Sequence, residues 1–355
     1  MDVDLLLSAK RIHICATRSL SGITAYAHDF HRLVLGPEGY VLADPKVVRS
    51  LAGRFAPDTL FHVQLGGRQY QERQVMSELL AHGHRSIEAT IHDPPFVTFP
   101  YFQFQSNQLM RLSRGFDWYL GSFGLQRRAL TRLQHIYVLS QIGRRKILAL
   151  APKSRVTTIP HLTCRDAVWP SQSSLGTGLL FFGFIGPGKG LEYALDLHRA
   201  VLRLRPQTHM HVVGKPDGLS GEQYVAKLKA EYQEEVTFSG YLPDDELDAI
   251  FARAAHVILP YKEYSHVVPA SGSANHAMRR GRIVWASGVN AIPELVTDNE
   301  NGFILRMDIA ADAQRLAAVL ADDGWAQRIS EGARRTSLRM AEYPYRKHFE
   351  LGIDQ

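Results

Sequence analysis

Short β-branched or apolar runs alternate with amphipathic stretches along the whole 355-residue chain, and after a loose segment the alternation starts again. In the first half, residues 11–15, 40–43, 59–64, 86–91, 135–140 and 155–159 read as strands, with a helical stretch near 24–35 after a Ser/Gly turn. The loose segment, 162–178, has Pro170, two glycines and four Ser/Thr after Trp169, the composition of a linker. Strands then recur at 179–184, 209–213, 236–238, 256–260 and 283–286, with helices at 191–204 and 273–280. Pro243-Asp244 opens a further helix with Leu247, Ile250, Phe251 and Ala254 on one stripe, and Asp244 is its expected N-cap. Strands separated by helices of this length must cross over, which makes a mainly parallel sheet. The expected architecture is therefore α/β: two Rossmann-like doubly wound domains facing a cleft. The boundaries are 1–164, a linker at 165–178, and 179–339, with a C-terminal helix at about 340–355 packing back on the first domain.

Composition excludes several other classes. With 45% hydrophobic and 21% charged residues, the chain is neither disordered nor collagen-like nor a coiled coil. Its longest apolar runs are far below the roughly 20 residues that span a bilayer. The acidic start, Met-Asp-Val-Asp, lacks the basic region of a secretory signal, and Cys15 and Cys164 alone can build neither a disulfide framework nor a zinc site. A reducing cytoplasm is the expected location, with peripheral placement at the inner face of a membrane. Charge divides unevenly: residues 1–165 hold 21 Lys/Arg against 11 Asp/Glu, leaving 20 against 24 in the remainder. A basic half suits nucleic acid, anionic lipid or a phosphate-bearing substrate. Without a helix-turn-helix, zinc-finger or RNP signature, no nucleic-acid partner is expected.

Glycine-rich turns mark where a ligand could bind. Arg18-Ser19-Leu20-Ser21-Gly22 follows the first strand, 183–190 opens the second half, and Pro269-Ala270-Ser271-Gly272-Ser273 precedes a helix. None is a dinucleotide fingerprint or a Walker A loop. Backbone N–H groups at such turns suit a diphosphate, although glycines also mark ordinary turns in any α/β protein.

Order and spacing add a resemblance. The stretches 181–190, Val212-Val213-Gly214, 237–242, Leu259-Pro260-Tyr261, 271–278 with Gly281, 284–287, 292–296 and 301–305 resemble the C-terminal domain of GT-B nucleotide-sugar glycosyltransferases of the family-4 type. In the first half, Ser21-Gly22, Thr90-Ile91-His92-Asp93, Leu139-Ser140 and Ile159-Pro160-His161 fit the same pattern. The resemblance implies a transferase acting on a UDP- or GDP-sugar, with retention at the anomeric carbon, no metal and no cofactor. The acceptor hydroxyl would belong to a glycan or lipid-linked acceptor of polysaccharide biosynthesis. It implies donor contacts from Gly22, Gly186, Lys189, Gly190, Ser271, Gly272, His276 and Glu294, and a catalytic His92 beside the transferred sugar. The chain departs from the pattern in three places. Phe184 and Gly186 occupy the turn region where an arginine is usual, which leaves Lys189 as its cation. Val268 and His276 replace a pair of glutamates.

Each residue also has a plainer reading: His92 as a surface-loop histidine, His276 as packing, Glu294 as a cap. The aromatic run 96–104, which includes Phe102, lies near Arg127, Arg128, Arg132 and Arg144-Arg145-Lys146. That combination suits a membrane surface or a lipid-diphosphate acceptor, or else a core segment followed by solvated basic faces. The rival functions are a non-catalytic sugar-nucleotide binding or scaffold protein, and an epimerase or phosphorylase on the same fold.

Overall fold

The computed structural model describes residues 2–16, 21–98, 109, 124–171, 175–216 and 218–350. The chain divides into two compact units: 1–162 with 265–270 and 343–355, and 163–264 with 271–342.

The first unit holds one six-stranded sheet. Its strands are β1 (Arg11–Ile14), β2 (Val41–Ala43), β3 (Leu60–Leu65), β4 (Ile87–Ile91), β5 (His135–Val138) and β6 (Val156–Thr158). They lie in the order β2-β1-β3-β4-β5-β6, and every pairing is parallel. Because side chains alternate along a strand, Ile12, Ile14, Phe61, Val63, Leu65, Ile87, Ala89 and Ile91 face one apolar core. The alternate positions carry His13, His62, Gln64, Thr90 and Tyr137. Such alternation ordinarily marks a solvated face. Here all five are buried. The helix Gly22–Phe30 and the tail at 343–349 cover them, with Phe30 and Phe349 ring-packed against His62.

The second unit repeats the plan with β7 (Gly178–Phe182), β8 (Met210–Val213), β9 (Val236–Gly240), β10 (Ala254–Leu259), β11 (Ile283–Ser287) and β12 (Phe303–Leu305). The order is β12-β11-β10-β7-β8-β9, again all parallel. After β9 the chain crosses to the far side of β7 and lays down β10. The sheet thus reverses its winding between β7 and β10. In the first unit the reversal lies between β1 and β3. At such switch points the loops after the two strands diverge, leaving a crevice at their carboxyl ends where ligands bind.

Three local expectations need correction. The helix Asp244–Arg253 begins at Asp244, so Pro243 is the N-cap and no side chain caps it. Asp244 complements the helix N-terminus by its charge alone. The stretch near 24–35 is a helix only to Phe30, and His31–Leu35 continues as a wider π turn. Among the described residues no α-helix starts at 340: the helix Asp323–Ala341 ends there, and the tail as far as 350 has a 3-10 turn at Tyr345–His348.

Burial keeps several imidazoles neutral. Desolvation first, and His161 and His62 second, push His92 down to about 3. Desolvation, then His62, His31 and His28, hold His13 well below its ordinary value. In the second unit, desolvation and then Arg282 take His256 to about 3. These bases bind protons more readily unfolded than folded. The stability they contribute is complete above about pH 6.5 and is lost as pH falls below it. At pH 5 His92 and His256 each cost about 2 kcal/mol, and His13 acts in the same direction. Glu72, raised by burial, acts in the opposite sense but is one group against three. The melting temperature should therefore fall by several degrees between pH 7.5 and 5 in a thermal denaturation series. A flat profile would show that these rings are charged or hydrated in the native state.

Candidate functional site

In the second unit the switch point is built around the turn after β7. Gly183 leaves the strand at φ +127, and its N–H donates to the Val213 carbonyl at 3.0 Å. A 3-10 turn, Pro187–Lys189, follows the buried Gly186 and ends at Gly190, φ +72, from which the helix Leu191–Leu204 starts. A Cβ on Gly190 would strike the carbonyl oxygen of Pro260, the residue after β10. The two loops are joined further along, where the Lys262 N–H donates to the Gly188 carbonyl at 3.1 Å. Lys189 is half-buried, and its ammonium lies 4.8 Å from the centroid of the Tyr261 ring, a cation–π distance.

Tyr261 links this cation to the third glycine-rich turn. Its hydroxyl hydrogen-bonds the Ser271 hydroxyl at 3.0 Å, and Ser271 caps the helix Gly272–Arg279 by accepting the Ala274 N–H at 3.1 Å. Ahead of Ala274, the amides of Gly272 and Ser273 open the helix, the end whose dipole favours an anion. A Cβ on Gly183 would meet the Ser273 hydroxyl at 2.5 Å, so the turn after β7 and this helix start are in direct contact. A cation, a helix start and a glycine turn converge at the β7/β10 switch point. That arrangement can hold a diphosphate.

His276 and Glu294 stand differently. His276 Nδ1 lies 3.2 Å from Arg279 Nη2 and 3.3 Å from Arg280 Nη1. Guanidinium groups only donate, so Nδ1 accepts, and in the neutral ring Nε2 carries the proton. Where the resemblance expects a carboxylate, this helix presents a hydrogen-bond donor next to Phe182, 5.8 Å away. Glu294 is exposed on the one-turn helix Ile292–Leu295. Val268, at the other glutamate position, belongs to the first unit, is buried, and donates its N–H to the Pro94 carbonyl at 2.8 Å.

In the first unit the switch point lies between β1 and β3. Gly22 opens the helix Gly22–Phe30, capped by Ser21, whose hydroxyl accepts the Thr24 N–H at 3.0 Å. Gly66 follows β3 so closely that a Cβ there would meet Ile23, Asp93 and His92. Asp93 accepts the Gly67 N–H at 2.6 Å. His92, just beyond β4, is buried and not a surface-loop residue, with its Nε2 2.9 Å from Gln64 Oε1. The Tyr26 ring meets it edge-on at 4.7 Å. A neutral imidazole in this setting can form hydrogen bonds but is too weakly basic for proton abstraction near neutral pH.

Arg127 and Arg128 are exposed on the one-turn helix Arg127–Leu130 and line a surface concavity with Gly124 and Thr131. Phe102 lies outside the described residues. Phe96, the first aromatic of that run, is buried, and Gln126 ties the adjacent backbone by bonding the Val97 N–H and the Thr98 carbonyl. Among the described residues no group of three His, Cys, Asp or Glu side chains is placed to hold a metal ion, and no helix is long and apolar enough to cross a membrane. Sequence reasoning assigned no role to Tyr261, Gln64 or His13. The readable signal was His62 and Gln64 alternating with Phe61, Val63 and Leu65, which looks like a solvated strand face.

The family described as Glycosyl transferases group 1 matches residues 176–322, the body of the second unit. No curated protein matches the chain by sequence. Among solved structures, sucrose-phosphate synthase from Thermosynechococcus elongatus superposes with a TM-score of 0.70 at 17% identity, covering 93% of this chain and 94% of that one. HepE from Anabaena, in complex with UDP and glucose, gives 0.68 at 15% identity over 94% of this chain and 97% of that one. TarM from S. aureus, a mutant form in complex with fondaparinux, alpha-GlcNAc-glycerol and UDP, gives 0.59 at 12% identity over 92% and 57%. The fold is GT-B, and the second unit carries the sequence pattern of the group 1 glycosyl transferases.

Gly190→Ala should destabilise the second unit by about 2–3 kcal/mol, because the methyl group meets both a left-handed backbone and the Pro260 carbonyl. Urea denaturation reads the change. A loss below about 0.5 kcal/mol would show that the loops after β7 and β10 do not approach this closely.

Proposed function

We propose that this GT-B chain transfers a sugar from a nucleotide-diphosphate sugar to an acceptor hydroxyl, with the second unit binding the donor. The carrying observation is the Lys189–Tyr261–Ser271 chain at the β7/β10 switch point, which ties the one cation of the turn to a capped helix start. The match of residues 176–322 to the group 1 glycosyl transferases supports the same reading. UDP in two of the similar structures makes a uridine donor the first to test, with a GDP-sugar second.

As the anomeric carbon–oxygen bond to the diphosphate breaks, negative charge grows on the leaving phosphate. Lys189, the turn of Gly186 and Gly190 and the amides of Gly272 and Ser273 would stabilise that charge. The acceptor oxygen then bonds to the same carbon, with retention, and its proton passes to the oxygen of the departing phosphate; no metal is needed in this scheme. His276, Glu294 and Gly22 would complete the donor contacts. His92 would accept a hydrogen bond from a hydroxyl of the transferred sugar and so orient it. The acceptor would be a lipid-linked or growing glycan handled by the basic first unit at the inner face of a membrane.

Substitution tests these roles. Lys189→Ala should lower kcat/KM for the donor by one to two orders of magnitude, the value of about 1.5–3 kcal/mol for a charge-assisted hydrogen bond. Kinetics within twofold of wild type, with an unchanged melting temperature, would place the diphosphate elsewhere. A chain that binds UDP or GDP but turns over no sugar donor would be a binding protein instead.

Exposed arginines contribute about 1 kcal/mol each near an anionic leaflet and are screened by salt. The protein should therefore sediment with phosphatidylserine-containing vesicles at low salt and release at high salt. Replacing Arg127 and Arg128 together by Glu should weaken the sedimentation. Failure to pellet at low salt would remove the membrane role and leave the transferase reading intact.

A further inference from the structure

The buried face of the first sheet contains a hydrogen-bonded chain that ends on His92. Gln64, on β3, is fully buried, with its amide oxygen 2.9 Å from His92 Nε2 and its amide nitrogen 3.1 Å from His13 Nε2. An amide oxygen can only accept, so the proton of the His92 ring sits on Nε2. Nδ1 is then a bare lone pair, and among the described residues it has no hydrogen-bond partner. At the other end the NH2 group donates to His13 Nε2, which places the His13 proton on Nδ1. The backbone of His92 is held as well, by its N–H to the Leu65 carbonyl at 2.9 Å, and Tyr26 blocks rotation of the ring from the side.

Val63 and Leu65 on either side of Gln64 face the apolar core on the other side of the sheet, and a polar group buried between His13 and His92 is costly unless its contacts are made. The arrangement also leaves His13 Nδ1 buried with no partner.

We propose that Gln64 is a positioning residue that fixes the tautomer of His92, so that Nδ1 is held as an acceptor for a hydroxyl group. That the hydroxyl belongs to a bound sugar rests on the transferase reading; the tautomer itself does not. His13, beneath Gln64, takes the other end of the amide. The site would thus select a ligand that donates at this point, and would reject a deoxy or methylated analogue of the same sugar.

Full-length protein carrying 15N-histidine tests this by NMR, with His92→Asn identifying the His92 resonances. Wild type should show Nε2 protonated and Nδ1 unprotonated at neutral pH. In Gln64→Met both nitrogens should move toward the average of exchanging tautomers. Its kcat should fall about tenfold, the value of one neutral hydrogen bond, with donor KM within twofold. A proton on Nδ1 in wild type would overturn the proposal, as would a Gln64→Met protein with unchanged His92 signals and kcat. If Gln64→Met does not fold, the wild-type spectrum alone decides. If the tautomer responds as expected but no sugar donor is turned over, the transferase reading fails and the hold of Gln64 on His92 stands.

Discussion

The donor side of this molecule depends on one backbone approach, that of Gly190 to the carbonyl of Pro260. Strands β7 and β10 are neighbours in the sheet, but the chain leaves them in opposite senses. The loops after them meet only because Gly190 has no side chain and takes a left-handed conformation. With the loops so close, Tyr261 can stand under Lys189 and reach Ser271, and Ser271 can cap the next helix. Remove the approach and the cation, the hydroxyl chain and the helix start lose their common frame.

The first unit is organised by a different constraint. Its sheet has a polar face that is nonetheless covered, so each imidazole and amide on it must find a partner inside the protein. The solution is pairwise: His62 with Thr90 at 2.9 Å, His92 with Gln64, and Gln64 with His13. Burial also keeps His13 and His92 neutral. A neutral, oriented imidazole suits recognition of a hydroxyl better than transfer of a proton, which agrees with a reaction whose main demand is to stabilise a departing diphosphate.

Much of this was legible in the sequence, because parallel strands between crossover helices are periodic and their turns need glycine. Among the described residues, eleven of the twelve strands lie where β-branched or apolar runs predicted them. The one missed is the three-residue Phe303–Leu305 at the edge of the second sheet. Lys189, Gly190 and Ser271 were legible for the same reason, standing in glycine turns at strand ends. Tyr261 acquires its role only through the approach of two loops. Gln64 and His13 were hidden by their own pattern, since polar residues at alternate positions look like a wetted face. The tail at 343–349 and the helix Gly22–Phe30, with Val34 and Leu35 after it, turn that face inward. Asp244 misled because a strong capping residue was displaced by one position when Pro243 took the cap.

Hydrogen–deuterium exchange of the full chain, with and without UDP or a UDP-sugar, tests the central claim most directly. The account predicts slowed exchange at 183–190 and at the start of the helix Gly272–Arg279, with little change at β8 and β9. Protection confined to other segments, or none at saturating nucleotide for UDP, GDP and dTDP alike, would contradict it.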